Sequence, residues 1–173
     1  MTNEVLNCIR SRRSCKQYAP KQILEEELQA VLEAGTWAAS GMNRQAAKIV
    51  VLQKPEDVAA AERLNANAMG SPDAKPFYGA PTVCLVLADA SASTGMKDGS
   101  LVIGNMLLAA ESIGLGACWI NRAEAYETEE GKQLLKKWGV EGSYIGVGHC
   151  ILGYAQGEKK AASARKSDYI VRV

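Results

Sequence analysis

The chain has 173 residues, the length of one domain, and at that size folding should bury roughly 70% of the extended chain's surface. Apolar residues make up 47% of the sequence and charged residues 23%, which is typical of a globular domain and excludes a long disordered region. Twenty Lys and Arg against 19 Asp and Glu leave a net charge of +1, without the basic excess of a nucleic-acid-binding protein.

The cysteines and the apolar segments indicate the cellular compartment of the protein. The five cysteines are odd in number and include no CxxC pair, which argues against a disulfide framework or a zinc site. The N-terminus lacks the apolar core of a signal peptide, and no stretch approaches the roughly 20 apolar residues that span a membrane. We therefore expect one cytoplasmic domain over residues 1–173, with reduced cysteines and neither a membrane nor a nucleic acid as partner.

The first half of the chain predicts two helices, then a strand and a third helix. The first helix is expected from about Asn3 to Ile9, capped by Thr2 or Asn3. The second is signalled by apolar residues at helical spacing, with Gly35 placed to end it. Those apolar residues are Leu24, Leu28, Val31 and Leu32. The β-branched run Ile49–Leu52 predicts a buried strand, and Asp57 to about Met69 predicts a helix.

The second half alternates strands with helices. Thr82–Leu87 is the strongest strand pattern in the chain, and Leu101–Ile113 is a helix that is apolar around nearly its whole circumference. Such a helix belongs either in a core or in an extensive dimer interface. Cys118–Ile120 predicts a short strand, Glu127–Trp138 an amphipathic helix, and Tyr144–Tyr154 a glycine-interrupted strand. About four or five strands among helices indicate an α+β or α/β layered domain.

A basic cluster at the end of the first helix could bind a phosphate. It consists of Arg10, Arg12, Arg13 and Lys16 around the hydroxyl of Ser14. Several cationic donors and a hydroxyl in one short loop suit an anion. The alternative is that these cations complement the negative end of the helix dipole and its last carbonyls.

Two further polar segments have open interpretations. Ala39–Gln45 is a glycine-containing turn, rich in groups that could hydrogen-bond the edge of a heterocycle, although an ordinary connecting loop has the same composition. Arg165–Lys166, near the C-terminus, could close over an anion or could be solvated charge. The residues alone leave both alternatives open.

No catalytic constellation of side chains is visible. His149 is the only histidine, it lies in an apolar strand pattern, and no GxSxG motif accompanies it, which disfavours a Ser-His-Asp hydrolase. We expect a structural role for this histidine. A domain with a good core, a local anion site and no acid–base constellation can rely on a bound cofactor for its chemistry.

Six collinear segments together resemble the nitroreductase family, over essentially the whole chain. They are Arg12–Lys16, Ala39–Gln45, Phe77–Val83, Gly104–Ile120, Ile151–Tyr154 and Arg165–Lys166. The resemblance implies an α+β fold, a three-layer α/β/α domain with a central mixed sheet. It also implies a homodimer holding two FMN molecules in clefts made by both subunits, with the single FMN-binding domain spanning residues 1–173.

The resemblance assigns expected roles residue by residue. The phosphate and ribityl ligands would be Arg12, Arg13, Ser14, Lys16, Arg165 and Lys166. The loop reaching the flavin from the partner subunit would contain Ser40, Gly41 and Asn43. The backbone against the flavin ring near N5 would be that of Ile120, Asn121 and Arg122. The candidates for the family's flavin-ring asparagine and lysine are Asn65, Asn67 and Lys75.

The resemblance also implies a function, in which NADH or NADPH reduces FMN and a nitro, quinone or similar acceptor reoxidises it by a ping-pong mechanism. No side-chain acid or base and no metal is expected. The alternatives are a flavin-binding carrier or redox-responsive protein without turnover, and a specialised family member that uses FMN for different chemistry. Two departures concern the substrate: Gln45-Ala46-Ala47 replaces the usual Gln-Pro-Trp, and the long insertion over the pocket is missing.

Overall fold

Four strands form one sheet through the middle of the protein, which the computed structural model describes over residues 1–173. Their bounds are Ala47–Leu52 for β1, Thr82–Asp89 for β2, Gly116–Ile120 for β3 and Tyr144–Gly153 for β4. The spatial order is β1-β2-β4-β3, so β2 and β4 are central and β1 and β3 are the edges. Every predicted strand is present, and the α+β class is confirmed.

The expectation of a mixed sheet is wrong for these four strands, because all three pairings are antiparallel. The path between β1 and β2 shows why. The 14-residue helix that follows β1 is about 21 Å long, enough to carry the chain to the other end of the sheet. The irregular segment 69–81 then returns the chain, so Leu52 at the end of β1 pairs with Val83 at the start of β2.

Five α-helices accompany the sheet: α1 Glu4–Ser11, α2 Glu25–Thr36, α3 Pro55–Ala68, α4 Gly95–Ser112 and α5 Glu129–Lys137. Asn3 caps α1, since its side-chain oxygen accepts a hydrogen bond from the Leu6 N–H at 2.8 Å. Gly35 does not end α2 as predicted. It lies in the last turn, where a Cβ would stand 3.0 Å from Cγ of Met106, so its small size serves the packing of α2 on α4.

Helix α4 begins at Gly95, earlier than the predicted Leu101. Its first turns are poor in apolar side chains and therefore gave no periodic signal. Gly99 lies in these turns, and a Cβ there would stand 2.7 Å from Val147 in β4. The contact between Gly99 and Val147 is non-local, and it explains why α4 starts earlier than the local sequence pattern predicts. The helix is buried on one side, whereas Leu101 and Ile113 are exposed.

The sheet is buried on both faces. Side chains of β2 alternate between two cores: Val83, Leu85 and Leu87 face one, and Cys84, Val86 and Ala88 face the other. The first core contains residues of α3, of α5 and of the 3-10 helix Ala123–Glu127. Helix α5, Glu129–Lys137, is the amphipathic helix predicted over Glu127–Trp138, and the 3-10 helix lies just before it. The second core contains residues of α2 and α4.

The C-terminal segment after β4 lies on the surface. Residues 155–173 are exposed and belong to no helix or strand, and they include the apolar side chains of Ile170 and Val171. None of the five α-helices combines the length and the apolar composition that crossing a bilayer requires.

Two buried glycines provide a test of this packing. A Cβ on Gly146 of β4 would overlap the backbone carbonyl of Ala123, which cannot move without displacing the 3-10 helix. We expect Gly146→Ala to lower the free energy of unfolding by about 3 kcal/mol, or to prevent folding. Gly35→Ala is the matched control, because its Cβ meets only the outer atoms of the Met106 and Ile49 side chains and no backbone. Denaturant unfolding should show a loss within about 1 kcal/mol for this control, and equal losses would contradict the packing described.

Candidate functional site

The basic loop 12–16 lies alongside the start of β3. The N–H of Cys15 donates to the carbonyl of Ala117 at 2.9 Å, and Ser14 forms an isolated parallel bridge with the same residue. Residues 120–122 follow directly from β3. Two predicted binding segments, the basic loop and residues 120–122, therefore lie next to the same edge strand.

The cations of this loop differ in how free they are to bind a ligand. Arg13 donates from Nη1 to the carbonyl of Arg10 at 2.8 Å and to that of Arg12 at 2.5 Å. Its guanidinium thus performs the helix-terminus role that the sequence left as the alternative, while its Nε is buried without a partner. Neither Arg12 nor Lys16 forms an ion pair, and Nζ of Lys16 lies 5.3 Å from the centroid of the Tyr78 ring.

The thiol of Cys118 shows the electrostatic effect of this loop. Burial raises the pKa of Cys118, while a hydrogen bond from the Ser14 hydroxyl and the charges of Lys16 and Arg12 act to lower it. The hydroxyl and two cations therefore act on one thiol of β3 and add positive charge locally in a protein that is nearly neutral overall.

The C-terminal cations are not held in this cluster. Arg165 and Lys166 are exposed, and their side chains form no ion pair or hydrogen bond. The tail is tied down earlier, at Lys159, whose Nζ lies 2.6 Å and 2.8 Å from the two carboxylate oxygens of Glu111. The hydroxyl of Ser11, in the last turn of α1, donates to the same carboxylate at 2.6 Å.

The segment 120–122 is held from inside the protein. Nδ1 of His149 lies 3.3 Å from the carbonyl oxygen of Ile120, and Nδ2 of Asn65 donates to the carbonyl of Asn121 at 2.7 Å. Arg122 then adopts a left-handed backbone conformation, with φ of 71°. The N–H groups of Asn121 and Arg122 donate to no atom of the chain.

His149 is enclosed by aromatic rings. Its ring centroid lies 5.1 Å from that of Phe77 and 5.7 Å from that of Tyr126, and the residue has no exposed surface. Burial lowers the pKa of His149 to about 4, and the hydrogen bond to Ile120 opposes this only in part. The ring is therefore neutral at pH 7. Since a carbonyl can only accept, we assign the proton to Nδ1, which leaves Nε2 buried without a partner.

The polar turn at 40–45 is organised by a buried carboxylate. Asp98, in the first turn of α4, accepts hydrogen bonds from the N–H of Gly41 at 3.1 Å and from the hydroxyl of Thr94 at 2.8 Å. Met42, Asn43 and Gln45 all have positive φ, between 50° and 55°. Left-handed conformations cost free energy in residues other than glycine, so the fold rather than local preference shapes this loop.

The structure does not bring the 40–45 loop to the basic loop within one chain. The 40–45 loop precedes β1, at one edge of the sheet, whereas the basic loop and residues 120–122 adjoin β3, at the other edge. A cavity of about 350 Å³ lies beside the 40–45 loop. Its lining includes Gly35, Ser40, Gln45, Ile49, Asp98 and Val102.

The structure adds one residue to the site and distinguishes among three candidates. No sequence motif marks Asp98, whose one sequence signal is an acidic side chain in the first turn of a helix. Asn65 is one of the three candidates for the flavin-ring asparagine and lysine. It is buried, and its Oδ1 has no partner. Asn67 and Lys75 are exposed, and Lys75 pairs with Glu62 at 3.6 Å.

Comparison with known proteins gives consistent similarities. Residues 9–154 match the Nitroreductase family. A protein of Archaeoglobus fulgidus, provisionally named NADH dehydrogenase/NAD(P)H nitroreductase, is 28% identical over 162 residues, covering 90% of this chain and 88% of that protein. A Methanothermobacter thermautotrophicus protein with the same provisional name is 28% identical over 124 residues, and the match spans only 60% of its length.

Two solved structures are similar along the whole chain. The crystal structure of a nitroreductase with bound FMN from Bacteroides fragilis has a TM-score of 0.90 at 31% identity, covering 99% of this chain and all of that chain. A nitroreductase with bound FMN from Desulfitobacterium hafniense has a TM-score of 0.87 at 28% identity, covering both chains completely.

The buried imidazole predicts a loss of stability in mild acid. An unfolded histidine has a pKa of about 6.5, so as the pH falls toward 4 the unfolded chain takes up a proton that the folded chain refuses. Between about pH 7 and pH 5, the free energy of unfolding should fall by about 2 kcal/mol more in the parent than in His149→Asn.

Because the chain has one histidine, its imidazole resonances also report the pKa directly by NMR. In the folded protein, these resonances should not shift between about pH 7 and pH 5. Titration near pH 6.5 would contradict the buried, neutral state.

Proposed function

The chain belongs to the nitroreductase family, and from that premise we propose that it is an FMN-dependent oxidoreductase that passes electrons from NADH or NADPH to a small-molecule acceptor. The observation that carries the proposal is the similarity over the entire chain to nitroreductases solved with bound FMN, at up to 31% identity and a TM-score of 0.90. The provisional names of the two archaeal relatives support a nicotinamide as the electron donor.

The residues present fit FMN. Arg12 and Lys16 are cations without a carboxylate partner, and Ser14 lies between them, which suits a phosphate. Asn65 is only 1% exposed, so it would act on the ring through the Asn121 carbonyl that it holds and not by direct contact. The free N–H groups of Asn121 and Arg122 would suit the electron-rich edge of the ring. A bound FMN would supply the two-electron chemistry that no side chain of this site provides.

The roles of the chain's own groups follow from this fit. Arg12, Ser14 and Lys16 would bind the phosphate, with Arg165 and Lys166 added when the tail closes over it. Arg13 would contribute mainly by ordering the loop, because its Nη1 is engaged with backbone carbonyls. The backbone donors of residues 120–122 would stabilise negative charge on the reduced ring, a role that needs no particular side chain.

We propose a homodimer as the working form. The predicted site segments lie at opposite edges of one sheet, so a second copy is needed to bring Ser40, Gly41 and Asn43 to the residues along β3. Several large apolar side chains also lie on the surface of the single chain. They include Val5, Ile9, Trp37, Met42, Leu101 and Ile170. Covering such side chains is the main driving force for obligate dimers.

A redox experiment tests the proposed function. Under anaerobic conditions, NADH or NADPH should bleach the flavin absorbance of the FMN-loaded protein, and a quinone or nitroaromatic should restore it. If donor and acceptor take turns at one ring face, steady-state double-reciprocal plots should give parallel lines. A protein that binds FMN but is not reduced by either nicotinamide would instead be a carrier, and intersecting lines would exclude the ping-pong mechanism.

The phosphate site has a separate test. Riboflavin, which lacks the phosphate, should bind far more weakly than FMN. Arg12→Ala should weaken FMN binding by about 1.5 to 3 kcal/mol, because it removes a charge-assisted contact. Lys132→Ala is the control, since that exposed lysine lies on α5, away from the basic loop. Equal affinity for riboflavin and FMN, measured by fluorescence titration, would show that the basic loop does not bind the phosphate.

A further inference from the structure

We infer that His149 and Asn65 are positioning residues, which aim the backbone N–H groups of Asn121 and Arg122 outward, toward the flavin ring. The inference rests on the proposed function and concerns how its backbone donors are held. His149 belongs to β4 and Asn65 to α3, so two separate elements hold one short segment.

Peptide geometry connects the buried carbonyls to the free N–H groups. In a trans peptide unit, the C=O of one residue and the N–H of the next point in opposite directions. His149 holds the C=O of Ile120 toward the core, which turns the N–H of Asn121 away from it. Asn65 holds the C=O of Asn121 in the same way, which turns the N–H of Arg122 outward.

The two N–H groups are left without partners in a place where a ligand can reach them. Neither donates to any atom of the chain, and Asn121 is exposed. Arg122, the next residue in the chain, has a left-handed backbone conformation. Turns of this kind place successive N–H groups on one concave side, where they can converge on an electron-rich group. A left-handed arginine costs about 1 kcal/mol or more, so surrounding contacts must maintain it.

The surrounding contacts are buried and rigid. His149 packs against the rings of Phe77 and Tyr126 and has no exposed surface, and Asn65 is only 1% exposed. On the far side of the segment, Ala123 rests directly against the backbone of Gly146, with no room for a Cβ. Three points within four residues of the chain, at 120, 121 and 123, are therefore fixed from the interior before any ligand binds.

Fixed donors act on the reduced flavin more than on the oxidised one. Reduction adds negative charge to the ring, and hydrogen bonds to a charged acceptor are roughly twice as strong as those to a neutral one. Donors that are already aimed need no reorganisation when that charge develops. Loosening the segment should therefore weaken the binding of reduced FMN selectively, which lowers the reduction potential.

The test compares variants that remove the inner hydrogen bonds with one that keeps a donor. In His149→Phe the ring stays but the donor is lost, and Asn65→Leu removes the amide at similar volume. Each should bind oxidised FMN within about threefold of the parent and reduced FMN about tenfold more weakly, a shift of about −30 mV for a two-electron couple. His149→Asn, whose amide N–H can replace Nδ1–H, should recover most of the potential.

A matched control separates positioning from general destabilisation. Val31→Ala makes a cavity in the other core, beneath α2, and should lower the free energy of unfolding without moving the FMN potential. Spectroscopic redox titration gives the potentials, and denaturant unfolding gives the stabilities. If either His149→Phe or Asn65→Leu does not fold, the potential of the other variant decides the test.

The outcomes distinguish this inference from the proposed function. If His149→Phe and Asn65→Leu bind FMN with the parent's potential, the positioning role is wrong, although the oxidoreductase assignment stands. A parent that binds no FMN overturns both. Amide hydrogen exchange of the parent protein provides a further check. The N–H groups of Asn121 and Arg122 should exchange rapidly in the apoprotein and slowly with FMN, and unchanged exchange would also overturn the inference.

Discussion

The antiparallel pairing of β2 with β4 is the constraint on which the rest of this structure depends. These central strands are buried on both faces, so their alternating side chains supply both hydrophobic cores. An irregularity in their register lets Val147 and Cys150, which are three residues apart, face the same core beside α4. The same irregularity places His149 against the opposite core, behind the end of β3. A regular strand would have put Val147 and His149 on one face.

The edges of the sheet divide the predicted binding site. The basic loop and residues 120–122 adjoin β3, whereas the 40–45 loop precedes β1, and β2 and β4 separate them. Each half is well ordered by itself, through the bond of Cys15 to Ala117 at one edge and through Asp98 at the other. Two incomplete halves, each preformed, are what a site shared between two copies requires. The apolar side chains on the surface of the single chain are consistent with that arrangement.

Buried polar atoms without partners concentrate near the proposed flavin site. Arg13, Asn65, Tyr126 and His149 each have one such atom, and an unsatisfied buried group costs about 1–3 kcal/mol. A core selected for stability alone would replace these groups with apolar ones. Their presence behind the basic loop and residues 120–122 is explained if the chain gives up stability to hold polar groups in a fixed direction. The left-handed Arg122 belongs to the same pattern, because it too is maintained against its local preference.

Local sequence signals determined most of the elements and, through six collinear segments, the family. The Asn3 cap, the periodicity of α2 and the apolar run of β2 depend on neighbours within a few residues, so each can be recognised without the fold. Only the tertiary structure decided the antiparallel order, the early start of α4 at Gly95, the place of Gly35 inside α2 and the use of Asn65 and His149 to hold residues 120–122. Each of these depends on contacts between residues far apart in the chain, such as Gly99 with Val147, or Asn65 with Asn121. Close approach of this kind follows from how helices pack on the sheet, which no local pattern encodes.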